Sequence, residues 1–154
     1  MIVIDASVLA PALGDDDADG DATRARLRGE DLAAPEIIDL EVASVWRRTL
    51  ADERRASLAL ADLADLPLRR APHLPLLARC WELRHNLTPY DAAYVALAEV
   101  LDVALVTGRR ASLPRKRRPV RGRSARLTTR AAWWFASARA HWPRFVGTRA
   151  EPEG

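Results

Sequence analysis

Ile2, Val3 and Ile4 form a short β-branched run that stops at Asp5-Ala6-Ser7, the pattern of a buried strand turning into an apolar stretch over Val8–Leu13. The polar segment from Gly14 to Gly20, with Asp15, Asp16, Asp17 and Asp19, reads as a loop, and Asp21 as the cap of a helix through Arg28. Pro35 opens a second helix to about Leu50, on which Ile37, Ile38, Leu40 and Val45 share a face with Glu41 in its middle. A third helix, from about Asp52 to Leu66, carries Leu58, Leu63 and Leu66 at helical spacing; Pro67 ends it, and Leu68–Ala71 fits a short strand. Pro72 and Pro75 introduce a helix with Leu76, Leu77, Cys80, Trp81 and Leu83. Thr88-Pro89 starts the next, through Leu101, and Val103–Val106 is a second apolar β run ending at Thr107. Strand, helices, then strand again predicts an α/β fold with a parallel sheet covered by helices.

Length and composition narrow this further. A chain of 154 residues with 49% apolar positions has material for one domain of ordinary size and a real core. No run approaches the roughly 18–20 apolar residues of a membrane span. The start has no basic segment and carries Asp5 inside its apolar run, unlike a secretory leader. A single cysteine, Cys80, excludes an internal disulfide framework and fits a reducing cytoplasm.

The net charge of +3 conceals a division. Up to Gly108 the chain has 11 basic and 19 acidic residues; from Arg109 on it has 13 basic and 2 acidic. No acid stands between Asp102 and Glu151, and Trp133, Trp134 and Trp142 lie in this last part. Residues 1–108 are therefore expected to form the domain, and 109–154 a basic C-terminal extension.

Three acids occupy positions where acids are expensive. Asp5 ends the first strand, at the carboxyl edge where open parallel sheets bind ligands, although a strand-end Asp also caps turns. Glu41 falls within an apolar helix face, and a buried charge without a partner costs several kcal/mol; pairing with Arg48 is the plainer alternative. Asp91 stands three residues after Thr88, as in a capping box, yet it also precedes Tyr94, Val95 and Ala98 on the predicted buried stripe. Convergence of the three would call for a cation, and hard oxygen donors suit Mg²⁺ or Mn²⁺ rather than Zn²⁺. His73, His85 and His141 share no metal-ligand spacing, and no phosphate-binding glycine loop or nucleophile elbow occurs.

Ile-Val-Ile-Asp-Ala-Ser at the start, Ile-Ile-Asp-Leu-Glu-Val around Glu41, and Leu-Thr-Pro-Tyr-Asp-Ala-Ala-Tyr-Val-Ala-Leu-Ala around Asp91 resemble PIN-domain ribonucleases, most closely the VapC-type toxins of bacterial toxin–antitoxin pairs. The resemblance covers residues 1 to about 108. It implies a PIN-like parallel sheet flanked by helices, Mg²⁺- or Mn²⁺-dependent RNA cleavage with Asp5, Glu41 and Asp91 as catalytic acids, and Asp5 and Asp91 as metal ligands. It further implies Ser7 and Thr107 as accessory polar positions. The implied partners are RNA, a cognate VapB-type antitoxin seated on the helices around Ala34–Leu66, and a second toxin copy.

The pattern departs at its fourth acid. The family follows its strand with Thr-x-Asp, whereas this chain reads Thr107-Gly108-Arg109. A guanidinium there opposes a cation, and the rival reading is a degenerate PIN domain that binds antitoxin or RNA without cutting. Three readings stay open for the extension. Arg115-Lys116-Arg117-Arg118 would bind RNA phosphates, with the tryptophans stacking on bases. Alternatively the segment is a solvated, partly disordered tail. Or a change of reading frame near codon 108 replaced the family's ending, since 23 of the 24 basic residues are arginine, as a shifted frame of GC-rich DNA tends to give.

Overall fold

The computed structural model describes residues 1–108; Arg109, Arg115, Lys116, Arg117, Arg118 and the expectations for the basic extension lie outside the described residues. Within them runs β1 (Ile2–Ile4), α1 (Ala6–Gly14), α2 (Ala18–Leu27), β2 (Leu32–Pro35), α3 (Ile38–Thr49), α4 (Glu53–Asp65), β3 (Leu68–Ala71), a 3₁₀ turn (Leu74–Leu76), α5 (Leu77–Leu83), α6 (Pro89–Leu101) and β4 (Leu105–Val106). The four strands form one sheet in the order β3-β2-β1-β4, and every pairing is parallel. The predicted α/β architecture therefore holds.

The β-branched run at the start takes a central position, bonded to β2 on one side and β4 on the other, and Val3 and Ile4 are fully buried. Helix α6 covers β1, β2 and β4 with Ala92, Ala93 and Ala96, small residues that let helix and sheet approach closely, and with the fully buried Leu97. Thr88 caps it, and it ends at Asp102, whose φ of 54° is the left-handed conformation a short polar side chain tolerates. Helix α1 packs against α2, α3 and α4. There the Trp46 indole fills the space beside Gly14, where a Cβ would stand 2.5 Å from Nε1, and its N–H donates to the Ala10 carbonyl at 3.0 Å. A buried indole needs such a partner for its N–H.

Three local expectations are corrected. Strand β2 occupies Leu32–Pro35, where the chain was expected to enter a helix at Pro35. Its Leu-Ala-Ala-Pro has little intrinsic strand preference; all four residues are buried between β1 and β3, so tertiary pairing decides. Helix α2 begins at Ala18 rather than after Asp21, because Asp17 accepts from the Gly20 N–H at 2.9 Å and caps it earlier. The buried face of α3 is Ile38, Val42 and Trp46, and Leu40 is 69% exposed. Glu41 thus lies at the flank of that face, half-buried.

Candidate active site

Topology brings the acids to one edge. β1 ends at Ile4, so Asp5 emerges at the carboxyl edge of the sheet; β4, parallel to it, ends at Val106 and delivers Thr107 and Gly108 beside it. β2 ends at Pro35, and Glu41 follows in the first turn of α3. Helix α6 carries the chain back to the start of β4, so its N-terminus, with Asp91, stands at that same carboxyl end.

Asp5 is fixed from several directions. Its Oδ1 caps α1 by accepting the Val8 N–H at 3.2 Å and accepts the Ser7 hydroxyl at 2.6 Å, while its own N–H donates to the Val106 carbonyl at 3.3 Å. Ser7 in turn accepts the Gly108 N–H at 2.9 Å, a bond between residues 101 apart in sequence. Gly108 is needed for this approach, since a Cβ there would meet the Ser7 carbonyl oxygen at 2.9 Å. Pro11 lies one turn after Ser7 in α1 and has no N–H to give to that carbonyl. Thr107 is half-buried beside this latch.

Glu41 does not pair with Arg48, whose guanidinium donates instead to Ser44. Its Oε2 accepts the hydroxyl of Tyr94, from α6, across 53 residues of sequence. Tyr94 is 3% exposed, and burial is the first cause that pushes its phenol well above the ordinary range. The hydrogen bond to Glu41 and the negative charges of Glu41, Asp5 and Asp39 push it the same way. Tyr94 therefore stays protonated and donates to Glu41. Asp39 is held by Arg70, Nε to Oδ2 at 2.7 Å, and that guanidinium also reaches the Leu63 carbonyl at 2.7 Å. The other oxygen of Asp39, Oδ1, is buried without a hydrogen bond among the described residues.

Asp91 is different. It is exposed, and its Oδ2 accepts the Thr88 hydroxyl at 2.8 Å while its N–H donates to the Thr88 hydroxyl oxygen at 3.2 Å. The predicted cap is present, but the buried stripe of α6 runs through Tyr94 and Ala98 and leaves Asp91 on the rim. Among the described residues no three His, Cys, Asp or Glu side chains stand close enough to enclose a metal ion. His73 and His85 are exposed, and Cys80 is buried, its thiol pushed up by that burial.

Two contributors escaped sequence reasoning. Tyr94 read as one more core residue; the signal was its hydroxyl, because a buried tyrosine needs a partner. Gly108 stands in the sequence only as the residue between Thr107 and Arg109, and its steric role beside Ser7 has no local sequence signature.

A model of the PIN domain matches residues 2–110. Ribonuclease VapC1 of Mycobacterium tuberculosis is 43% identical over 111 residues, which cover 69% of this chain and 84% of that protein. Ribonuclease VapC12 of the same organism is 40% identical over 111 residues, covering 70% of this chain and 85% of the relative. The crystal structure of Mycobacterium tuberculosis VapC20, described as a sarcin–ricin loop cleaving toxin, superposes with a TM-score of 0.56 at 22% identity, over 71% of this chain and 92% of that one. That likeness speaks for the fold, and the sequence relatives carry the rest. The chain belongs to the PIN-domain family, within the VapC-type ribonuclease toxins of toxin–antitoxin systems.

Proposed function

We propose that this chain is the toxin of a type II pair that hydrolyses RNA phosphodiester bonds with Mg²⁺ or Mn²⁺, working in the cytoplasm and silenced by a cognate VapB-type antitoxin. The observation that carries the reading is the position of Asp5 directly after β1 and of Glu41 in the first helical turn after β2, two parallel strands with a common carboxyl edge, with Glu41 bonded there to the Tyr94 hydroxyl. The donor set fits the ion. Mg²⁺ is held by one or two carboxylates together with waters and substrate phosphates, so it needs no enclosing cage of side chains. Both hydrogen bonds to the Asp5 carboxylate fall on Oδ1, which leaves Oδ2 for a cation.

In this reading Asp5 and Asp91 hold the ion and Glu41 assists them. A bound divalent ion neutralises phosphate charge and makes a water acidic enough to attack. Ser7 and the Val8 N–H orient the Asp5 carboxylate, and Gly108 seats Ser7 through its N–H. Thr107, beside them, is the second accessory polar position. The RNA-binding role of Arg115, Lys116, Arg117 and Arg118 belongs to the same proposal, as does the division of the chain into a PIN domain over 1–108 and a basic extension over 109–154. The family match ending at Arg110 supports that division. A mainly apolar groove between α3 and α4, lined by Ala43, Trp46, Arg47, Leu50, Ala56 and Leu60, supports those helices as the antitoxin seat. Among the described residues no helix is long and apolar enough to cross a membrane.

The test is calorimetric titration of the full chain with Mn²⁺. Wild type should bind more tightly than an Asp5→Asn, Asp91→Asn double variant; equal binding overturns the nuclease reading. Arg109 favours the rival, a PIN domain that binds without cutting, and in that case such equality comes with intact antitoxin binding.

A further inference from the structure

The Tyr94 hydroxyl is unusual in where it is spent. Tyr94 sits one turn into α6 with its ring in the core, at 3% exposure, and it reaches out of that core to Oε2 of Glu41 on another helix. A glutamate on a helix flank turns about three side-chain bonds, and a half-buried one still samples several rotamers. The tyrosine ring, packed on all sides, has no such freedom. A carboxylate is planar, so fixing one oxygen on a rigid donor restricts where the other can point. Glu41 stands in the first helical turn after β2, whose carboxyl end lies beside that of β1, so the orientation imposed on it bears on the edge where Asp5 emerges.

We infer that Tyr94 is a positioning residue: its buried hydroxyl holds the Glu41 carboxylate in the orientation from which it serves the Asp5 edge of the site. It touches no substrate in this role and acts through Glu41. The inference rests on the proposed metal-dependent nuclease activity and gives the buried stripe of α6 a second task beside packing. Phenylalanine separates the two tasks, since it keeps the ring and removes the hydroxyl. Partners that orient a carboxylate at a metal site are typically worth about 10–100-fold in affinity or activity.

The experiment is a double-mutant cycle on the full chain with Tyr94→Phe, Glu41→Gln and the two combined, read by Mn²⁺ calorimetry, by RNA-cleavage kinetics and by thermal melting. Tyr94→Phe should weaken Mn²⁺ binding and lower kcat by about tenfold, with KM for RNA unchanged. In the Glu41→Gln background the same change should have little further effect, because the amide oxygen that still accepts the hydroxyl belongs to a group with no carboxylate charge to orient. A residue that merely packs would weaken binding equally in both backgrounds and shift KM along with the melting temperature, and that result overturns the inference. Mn²⁺ binding and kcat of Tyr94→Phe equal to those of wild type overturn it while leaving the nuclease reading intact. Wild-type protein that takes up no Mn²⁺ removes the ground for both.

Discussion

Asp5 and Asp91 each stand at the N-terminus of a helix at the same edge of the sheet, Asp5 as the cap of α1 and Asp91 three residues after the Thr88 cap of α6, and they are held very differently. The Asp91 carboxylate accepts the hydroxyl of Thr88, three residues away, its N–H donates to that same hydroxyl, and the carboxylate is exposed. Asp5 is half-buried, and the latch that holds it runs from α1 through Ser7 to Gly108, just after β4. A cap built from neighbours forms wherever its helix forms, whereas a latch built from distant strands exists only in the finished fold. The Asp5 corner should therefore respond to substitution as part of the tertiary structure, and the Asp91 corner as a local terminus.

The contrast can be broken most sharply at Gly108. Gly108→Ala places a methyl group 2.9 Å from the Ser7 carbonyl and should cost about 1–3 kcal/mol, read as a lower midpoint in urea unfolding. An unchanged midpoint would mean that β4 shifts freely and that the latch is slack. Next is Asp5→Ala, which removes the cap of α1 and the partner of Ser7 together. A cap alone is worth about 0.5–2 kcal/mol, and the loss should appear as a melting temperature lower by several degrees, with Mg²⁺-dependent cleavage abolished. Wild-type melting with cleavage retained would deny Asp5 both roles.

Asp91→Asn should cost only a fraction of a cap, because asparagine keeps the shape and an acceptor for the Thr88 hydroxyl, while any Mg²⁺-dependent cleavage is lost. A large fall in melting temperature with unchanged cleavage would make Asp91 a structural residue. The smallest effect belongs to Glu41→Gln, which retains an acceptor for Tyr94 and takes one negative charge away from the neighbourhood of Asp5. Its metal-free melting temperature should equal or exceed that of wild type, since relief of repulsion offsets any weakening of the hydrogen bond. Marked destabilisation in a chelator-treated melt would count against crowding of the acids.

What could be read from sequence follows the range of the forces involved. The Ile2–Ile4 strand, the Thr88 cap and the Pro67 break are signalled within a few residues, and each appears where expected. The parallel sheet followed from the alternation of strands and helices. Strand β2 was missed because two alanines and a proline say little locally; its conformation comes from two flanking strands. The orientation of α3 was misjudged because Leu40 is apolar yet exposed, and periodicity assigns a face by average hydrophobicity rather than by the packing of Trp46 against α1. Asp5, Glu41 and Asp91 could be singled out because charges beside apolar runs are costly. The bond from Tyr94 to Glu41 could not, because 53 residues separate its partners and neither local motif refers to the other.

The pairing of β1 with β4 has a consequence in time. β1 is made first and β4 after nearly all of the domain, so a ribosome adding about 5–20 residues per second exposes Asp5 several seconds before the strand that completes its corner. Contacts between such distant segments also form late in folding, because the loop they close must first be ordered. Until Gly108 has emerged, Ser7 has no N–H to accept from it. The acid encoded about a hundred codons ahead of the residue that completes its latch is thus made early and set in place late.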